Sequence, residues 1–181
     1  DPLSDIETIN LELILADLQT VSKRLGSVES DIKRGLKSAV IEKGALEKLK
    51  VTLEEGKLAR SINFDEKEIV EVSKLCLLTM KPILYVLNKK AGGKNLDEVN
   101  DERFTKLISF FQETKAGYVI VDAGIEQELK DLDGGDKKEM REGLGVKDDG
   151  IDNLIKAGYK LLGLITYFTT GEDESRAWTI K

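Results

Sequence analysis

Apolar residues recur at Leu11, Ile14, Leu18, Val21, Leu25, Val28 and Ile32, with steps of 3 and 4 in strict alternation. On a helix these positions fall on one narrow seam, and such a seam is buried only along another long element. Gly26 lowers helix propensity a little without shifting the register. Gly35 is the natural point of reversal, and Leu46, Leu49 and Leu53 resume the same spacing beyond it, with Ala39 and Ala45 nearby. Gly56 suits the left-handed residue that follows a helix. The pattern predicts two antiparallel helices over residues 1–60, each burying its seam on the other.

Charge is unevenly placed along the chain. The formal net charge is −6. Yet Ser22–Lys50 carries eight basic residues against four acidic ones, a net of +4. A basic segment in an acidic chain steers toward phosphate-rich partners; the plainer alternative is a solvated helix surface laced with i,i+4 pairs. The residues of interest are at the far end of the hairpin, Val28–Ser38, where Lys33, Arg34 and Lys37 gather.

Composition excludes several chemistries. The chain has no histidine, which removes Ser-His and Cys-His nucleophiles and every His-ligated metal site. Its one cysteine, Cys76, rules out a disulfide scaffold and fits a reducing, cytoplasmic compartment. In KLCLLTM it reads as a small buried hydrophobe. No apolar run approaches a membrane span. Asp131, Asp133 and Asp136 flank Gly134-Gly135, but EF-hand spacing and its closing glutamate are lacking, so an acidic solvated loop is expected and no metal site.

After Asp65 the pattern changes. Glu66–Leu75 reads as a helix with Asp65 as N-cap. The segment KPILYVLN, Lys81–Asn88, has the continuous apolar core of a buried parallel strand. Asp101–Thr114 is an amphipathic helix, Tyr118–Val121 a short strand, and Ile151–Leu162 a longer helix. Shorter helical stretches are expected near Glu126–Leu129 and Lys137–Gly143. Strands alternating with helices indicate an α/β domain with a parallel sheet, whose ligands sit beyond the C-terminal strand ends. Those ends are Asn88 and Asp122–Gly124. A side-chain amide after a strand offers a donor and an acceptor, matching a purine edge. The chain closes with KLLGLITYFTTGEDESRAWTIK, Lys160–Lys181, which reads as a helix end followed by a β-hairpin bearing the single tryptophan, Trp178.

That closing segment closely resembles the join between the nucleotide-binding domain and the small C-terminal TGS domain of the Obg-like ATPases, the YchF family. DPLSDIETINLELILADLQTVSKRL and LEKLKVTLEEGKLARSI resemble the outgoing and returning helices of the family's coiled-coil insertion. KPILYVLN and VIVDAGIEQEL resemble the strands leading to its two base-reading loops. The resemblance implies the C-terminal half of a P-loop NTPase domain with a helical arm: residues 1–60 the arm, 61–163 part of the nucleotide-binding domain, 164–181 the start of a TGS domain. Beginning at Asp1 and stopping at Lys181, the chain reads as an internal piece of a longer protein.

The family likeness also implies a function. The full-length protein would be a ribosome-associated ATPase that hydrolyses ATP, or GTP, with Mg²⁺. Asn88 would bond the base, the Lys89 backbone would line it, and Ala123 and Gly124 would approach through main chain. Two departures leave the choice of base open. The first loop is Asn88-Lys89-Lys90-Ala91 where the family usually has Asn-x-x-Glu, and the second opens Asp122-Ala123-Gly124 where Ser-Ala-Lys is usual. Glu126 and Glu128 do agree with the usual pattern. No G-x-x-x-x-G-K-[ST] occurs, so this stretch has no phosphate cradle, contributes no catalytic residue and is expected to hold no nucleotide or Mg²⁺ alone. The alternative is a non-catalytic module whose basic arm binds ribosomal RNA or a protein. The oligomeric state is left open.

Overall fold

A computed structural model describes residues 1–90, 92–99, 101–132, 134–144 and 149–181. The chain divides into two compact units, Asp1–Lys81 and Pro82–Lys181. Among the described residues no helix is long and apolar enough to cross a membrane.

The first unit is a helical hairpin, α1 (Pro2–Lys33) against α2 (Lys37–Glu54), followed by a 3₁₀ turn at Ala59–Ser61, α3 (Glu66–Ser73) and a second 3₁₀ turn at Leu78–Met80. Asp1 caps α1 by accepting from the Leu3 N–H at 3.2 Å. The reversal falls at Gly35, with φ +82°. There the Leu36 N–H reaches Asp31 O and the Gly35 N–H reaches Ile32 O, satisfying carbonyls the helix end would otherwise leave open. Gly56 repeats this device after α2 with φ +73°.

The seam is buried as expected through Ile14, Val21 and Val28, with Leu18, Leu25 and Ile32 partly covered; facing them are Ala39, Ala45, Leu46, Leu49 and Leu53. It differs at its start. Leu11 is 52% exposed while Ile6 is buried, because a straight helix drifts from a 3.5-residue repeat and carries Leu11 off the covered face.

Polar anchors fix the hairpin's register. The Arg24 guanidinium forks onto both Glu42 oxygens at 2.6 Å and also reaches Asp31 at 2.8 Å. Asp17, 3% exposed, sits on the apolar face of α1. It accepts from the Leu78 N–H at 2.8 Å, and from the Thr79 N–H and hydroxyl, each at 2.7 Å. Thr79 Oγ1 in turn accepts from the Ala59 N–H at 3.1 Å. This chain of bonds closes the foot of the hairpin. α3 begins with a capping box: Asp65 accepts from the Glu68 N–H, and Glu68 from the Asp65 N–H.

One expectation fails here. Cys76 is exposed rather than buried. It takes a left-handed φ of +51° just past α3, and that turn swings its side chain out of the apolar run its neighbours follow.

The second unit holds β1 (Leu84–Asn88), α4 (Glu102–Thr114), β2 (Gly117–Val121), α5 (Ala123–Glu128), α6 (Gly134–Gly143), α7 (Gly150–Leu162), β3 (Ile165–Thr170) and β4 (Ser175–Ile180). β1 and β2 pair in parallel, from Leu84 opposite Gly117 to Asn88 opposite Val121. The expected α/β class with a parallel sheet is what forms. Phe111 of α4 stacks on Tyr118 at 4.7 Å between ring centroids and lies 5.2 Å from Tyr85. Tyr85 and Tyr118 are opposite one another, so α4 covers that face of the pair. α7 begins against Val121, whose side chain belongs to the other face. β1 is shorter and less buried than KPILYVLN suggests. It starts at Leu84, where pairing with β2 starts, and Val86 is 47% exposed. β3 and β4 form the expected antiparallel hairpin, with Trp178 opposite Tyr167 and its indole N–H on Thr169 Oγ1 at 2.9 Å.

Candidate functional site

Parallel pairing sets the ends of β1 and β2 side by side, so the two loops singled out in the sequence leave the sheet together. The Lys89 N–H donates to Val121 O at 2.7 Å, extending the ladder by one bond past Asn88. Asn88 Oδ1 then accepts from the Ala123 N–H at 3.1 Å. The first loop is thereby tied to the second by a side chain, and the bond orients the amide: its carbonyl faces Ala123 and its NH₂ group is left to donate. Asn88, Ala123 and Gly124 are all exposed.

Asp122 has a role the sequence left unassigned. It is the N-cap of α5, accepting from the Ile125 N–H at 3.0 Å. Its charge is spent on the helix start.

Lys89 belongs to a recess of about 740 Å³ walled by the first loop, β2 and the start of α7. Asn88, Ala123 and Gly124 are not among its lining residues. The Lys89 ammonium meets Glu98 at 2.5 Å and Asp97 at 3.0 Å. The Glu98 hydrogen bond, reinforced by Asp97, raises the Lys89 pKa against the opposing effect of burial, and Lys89 in return lowers that of Glu98. Asn95 organises the same loop, accepting from the Lys90 N–H at 2.8 Å and donating to Lys90 O at 3.2 Å. Ala91, the last member of the first-loop tetrad, lies outside the described residues.

A polar cluster that sequence reading missed is found behind the second loop. Glu126, 7% exposed, accepts from the Gly150 N–H at 2.8 Å and from Arg141 at 3.2 and 3.3 Å. Arg141 also donates to Asp149 at 2.6 Å. Burial opposes the charge on Asp149, but the Asp152 N–H and the Arg141 guanidinium outweigh it and lower its pKa. The signal in the sequence was faint: one arginine among the charged residues of α6, with no periodicity to mark it.

Along the α1–α2 hairpin, the structure divides the basic residues into paired and unpaired. Arg24, Arg34, Lys43, Lys48 and Lys50 are engaged with Glu42, Asp31, Glu29, Glu68 and Glu54 respectively. Among the described residues Lys23, Lys33 and Lys37 form no ion pair. Lys33 and Lys37 are exposed, and Arg34 is 69% exposed despite its bond to Asp31. Lys37 opens α2, whose N-terminus has no side-chain cap, so unpaired N–H groups gather beside these cations. Of the acidic stretch expected as a loop, Asp136 instead falls in the first turn of α6 and Asp133 is outside the described residues; among those described no three acidic or thiol groups converge as metal ligands.

Comparison with known proteins adds a family to this geometry. No family model matches the chain. It is 48% identical over 181 residues to the ribosome-binding ATPase YchF of Bacillus subtilis, covering 100% of this chain and 49% of that protein. It is 37% identical to the protein of that name from Haemophilus influenzae, covering 99% and 48%. Against the Obg-like ATPase 1 of Caenorhabditis elegans the identity is 34%, covering 100% and 46%. The solved structure of the Schizosaccharomyces pombe YchF GTPase superposes with a TM-score of 0.79 at 27% identity, over 100% of this chain and 49% of that one. The chain thus spans about half the length of the relatives it matches, and over that span it belongs to the YchF, or Obg-like ATPase, family.

Proposed function

We propose that this chain is the base-reading and partner-binding stretch of a ribosome-associated nucleotide hydrolase. The carrying observation is the bond from the Ala123 N–H to Asn88 Oδ1, which joins the two strand-end loops and leaves the Asn88 amide group exposed as a donor. A purine presents ring-nitrogen acceptors to such a donor, and guanine its exocyclic carbonyl as well. In this reading Asn88 holds the base, the Lys89 main chain borders it, and Ala123 and Gly124 close over it through backbone. The bound ATP or GTP supplies the γ-phosphoryl group that passes to water. The part of this chain is to hold and orient the base, and no residue in it is assigned to Mg²⁺. Residues 1–60 act as a coiled-coil arm, residues 61–163 as part of the nucleotide domain, and residues 164–181 as the opening of a TGS domain.

The test is Asn88→Ala in the full-length protein, with ATP and GTP affinities measured by calorimetry. Removing one uncharged hydrogen bond together with the tie between the loops should weaken binding about tenfold or more. Unchanged affinity for both nucleotides would overturn the reading.

A second role rests on a different observation, the unpaired cations Lys33 and Lys37 beside the exposed Arg34 at the end of the hairpin. We assign this end to ribosomal RNA, with nucleotide binding or without it. Replacing all three by alanine should weaken ribosome co-sedimentation and flatten its salt dependence, by about 0.7 in logarithmic slope for each phosphate no longer neutralised. An unaltered slope would remove the hairpin end from the interface.

A further inference from the structure

α5 has only six residues, Ala123–Glu128, far too few to hold a helix without tertiary support. Its first residues are those that close over the base in the reading above. Two supports hold it. At its start, Asp122 caps the helix and Asn88 takes the Ala123 N–H. Toward its end, Glu126 is gripped by the Gly150 N–H and by Arg141, which also holds Asp149 at the head of α7. These are not surface pairs: the Arg141 and Glu126 side chains are 11% and 7% exposed. Nor is there slack in the fit, since a Cβ on Gly150 would lie 3.0 Å from Glu126 Oε1 and 3.1 Å from Val121 Cγ1.

The grip is costly as a source of stability. Two charges are desolvated, and Arg141 Nε is buried without a hydrogen-bond partner. Apolar or neutral side chains of similar size fill such a site with little loss of stability or none. They cannot supply what the fork does, which is to fix α5 at one distance and angle from the first turn of α7.

Resting on the base-pocket reading, we propose that Arg141, through Glu126, is a positioning residue for nucleotide recognition: it sets where the Asp122–Gly124 loop stands relative to Asn88. Arg141 does not meet the nucleotide. It acts by holding the Ala123 N–H on Asn88, which in turn keeps the Asn88 amide group aimed outward.

The experiment uses the full-length protein in two forms, R141M alone and R141M/E126Q. The double form removes both buried charges, while the glutamine side chain of E126Q retains a carbonyl for the Gly150 N–H. Two quantities are read: hydrogen exchange of a peptide covering residues 118–128, and dissociation constants for ATP and for tripolyphosphate, which lacks a base. The expected result is faster exchange in that peptide, ATP affinity reduced about 10- to 100-fold as for a misplaced contact, tripolyphosphate affinity unchanged, and a melting temperature near that of the parent for the double form. A purely structural role would lower the melting temperature and leave the ratio of ATP to tripolyphosphate affinity intact, which would overturn the proposal. Unchanged exchange in both forms overturns it as well. Asn88→Ala, measured alongside, separates the two ideas: full ATP affinity in N88A removes the base pocket, whereas weakened binding in N88A with intact binding in both Arg141 forms removes the positioning role alone.

Discussion

Asp17 offers the sharpest test of how the first unit is held together. Its carboxylate is 3% exposed and accepts three hydrogen bonds, from the Leu78 N–H at 2.8 Å and from the Thr79 N–H and hydroxyl at 2.7 Å. Asparagine at this position keeps one oxygen and turns an NH₂ group toward a donor. The least costly arrangement sacrifices the bond to Leu78, because Leu78 is 40% exposed and water can reach it, whereas Thr79 is fully buried. Losing one hydrogen bond to a charged acceptor costs about 1.5–3 kcal/mol. Alanine orphans all three donors, two of them on the buried Thr79, and is expected to cost about 3–5 kcal/mol. The assay is urea unfolding followed by far-ultraviolet circular dichroism, which reports the long helices. Tryptophan fluorescence would follow Trp178 in the other unit instead. With a urea m-value of about 1–3 kcal/mol per molar, alanine should lower the midpoint by roughly 1–5 M. Exchange of the Thr79 amide supplies the local readout. If Asp17→Ala changes stability by less than about 0.5 kcal/mol, the range of an ordinary surface substitution, the carboxylate is not the anchor described here.

Four further outcomes are expected. Leu49, fully buried between the hairpin helices, should cost about 2–5 kcal/mol on replacement by alanine, checked by the same unfolding curve. Gly150→Ala places a methyl group 3.0 Å from Glu126 Oε1 and should destabilise the second unit by about 1–3 kcal/mol, seen in the Trp178 fluorescence transition. Lys115 follows α4 at a left-handed φ of +51°; glycine there should raise stability by about 0.5–1 kcal/mol, and a lower melting temperature would contradict the strain. The Arg103 side chain and N–H lower the Asp101 carboxyl from an ordinary 3.8 to about 2. Its contribution is therefore complete above about pH 4 and is lost as pH falls toward 2, so D101N should flatten that part of the acid-unfolding profile.

Much of the fold is written in local periodicity. The alternating steps from Ile14 to Ile32 predict α1, and Leu46, Leu49 and Leu53 predict its partner, because burying one stripe of a helix needs only the spacing of its apolar residues. Gly35 and Gly56 mark the helix ends since a left-handed turn there favours glycine. Asp65 is legible as a cap beside the first turn it serves. Asn88 and Ala123 stand out because a strand end is where an α/β sheet places its ligand-binding loops.

Tertiary structure alone decided the rest. Nothing in the sequence pairs Asp17 with Thr79, or Arg141 with Glu126 and Asp149, since these bonds join separate elements and leave no period behind. Composition shows a basic segment, yet which cations are neutralised depends on how α2 meets its neighbours: its Glu42 takes Arg24 of α1, while Glu29 of α1 and Glu68 of α3 take its Lys43 and Lys48. Local spacing determines which faces the elements must cover. The meeting of one covered face with another determines where charges cancel, where a carboxylate is locked, and how the two strand-end loops come to be tied by a single amide.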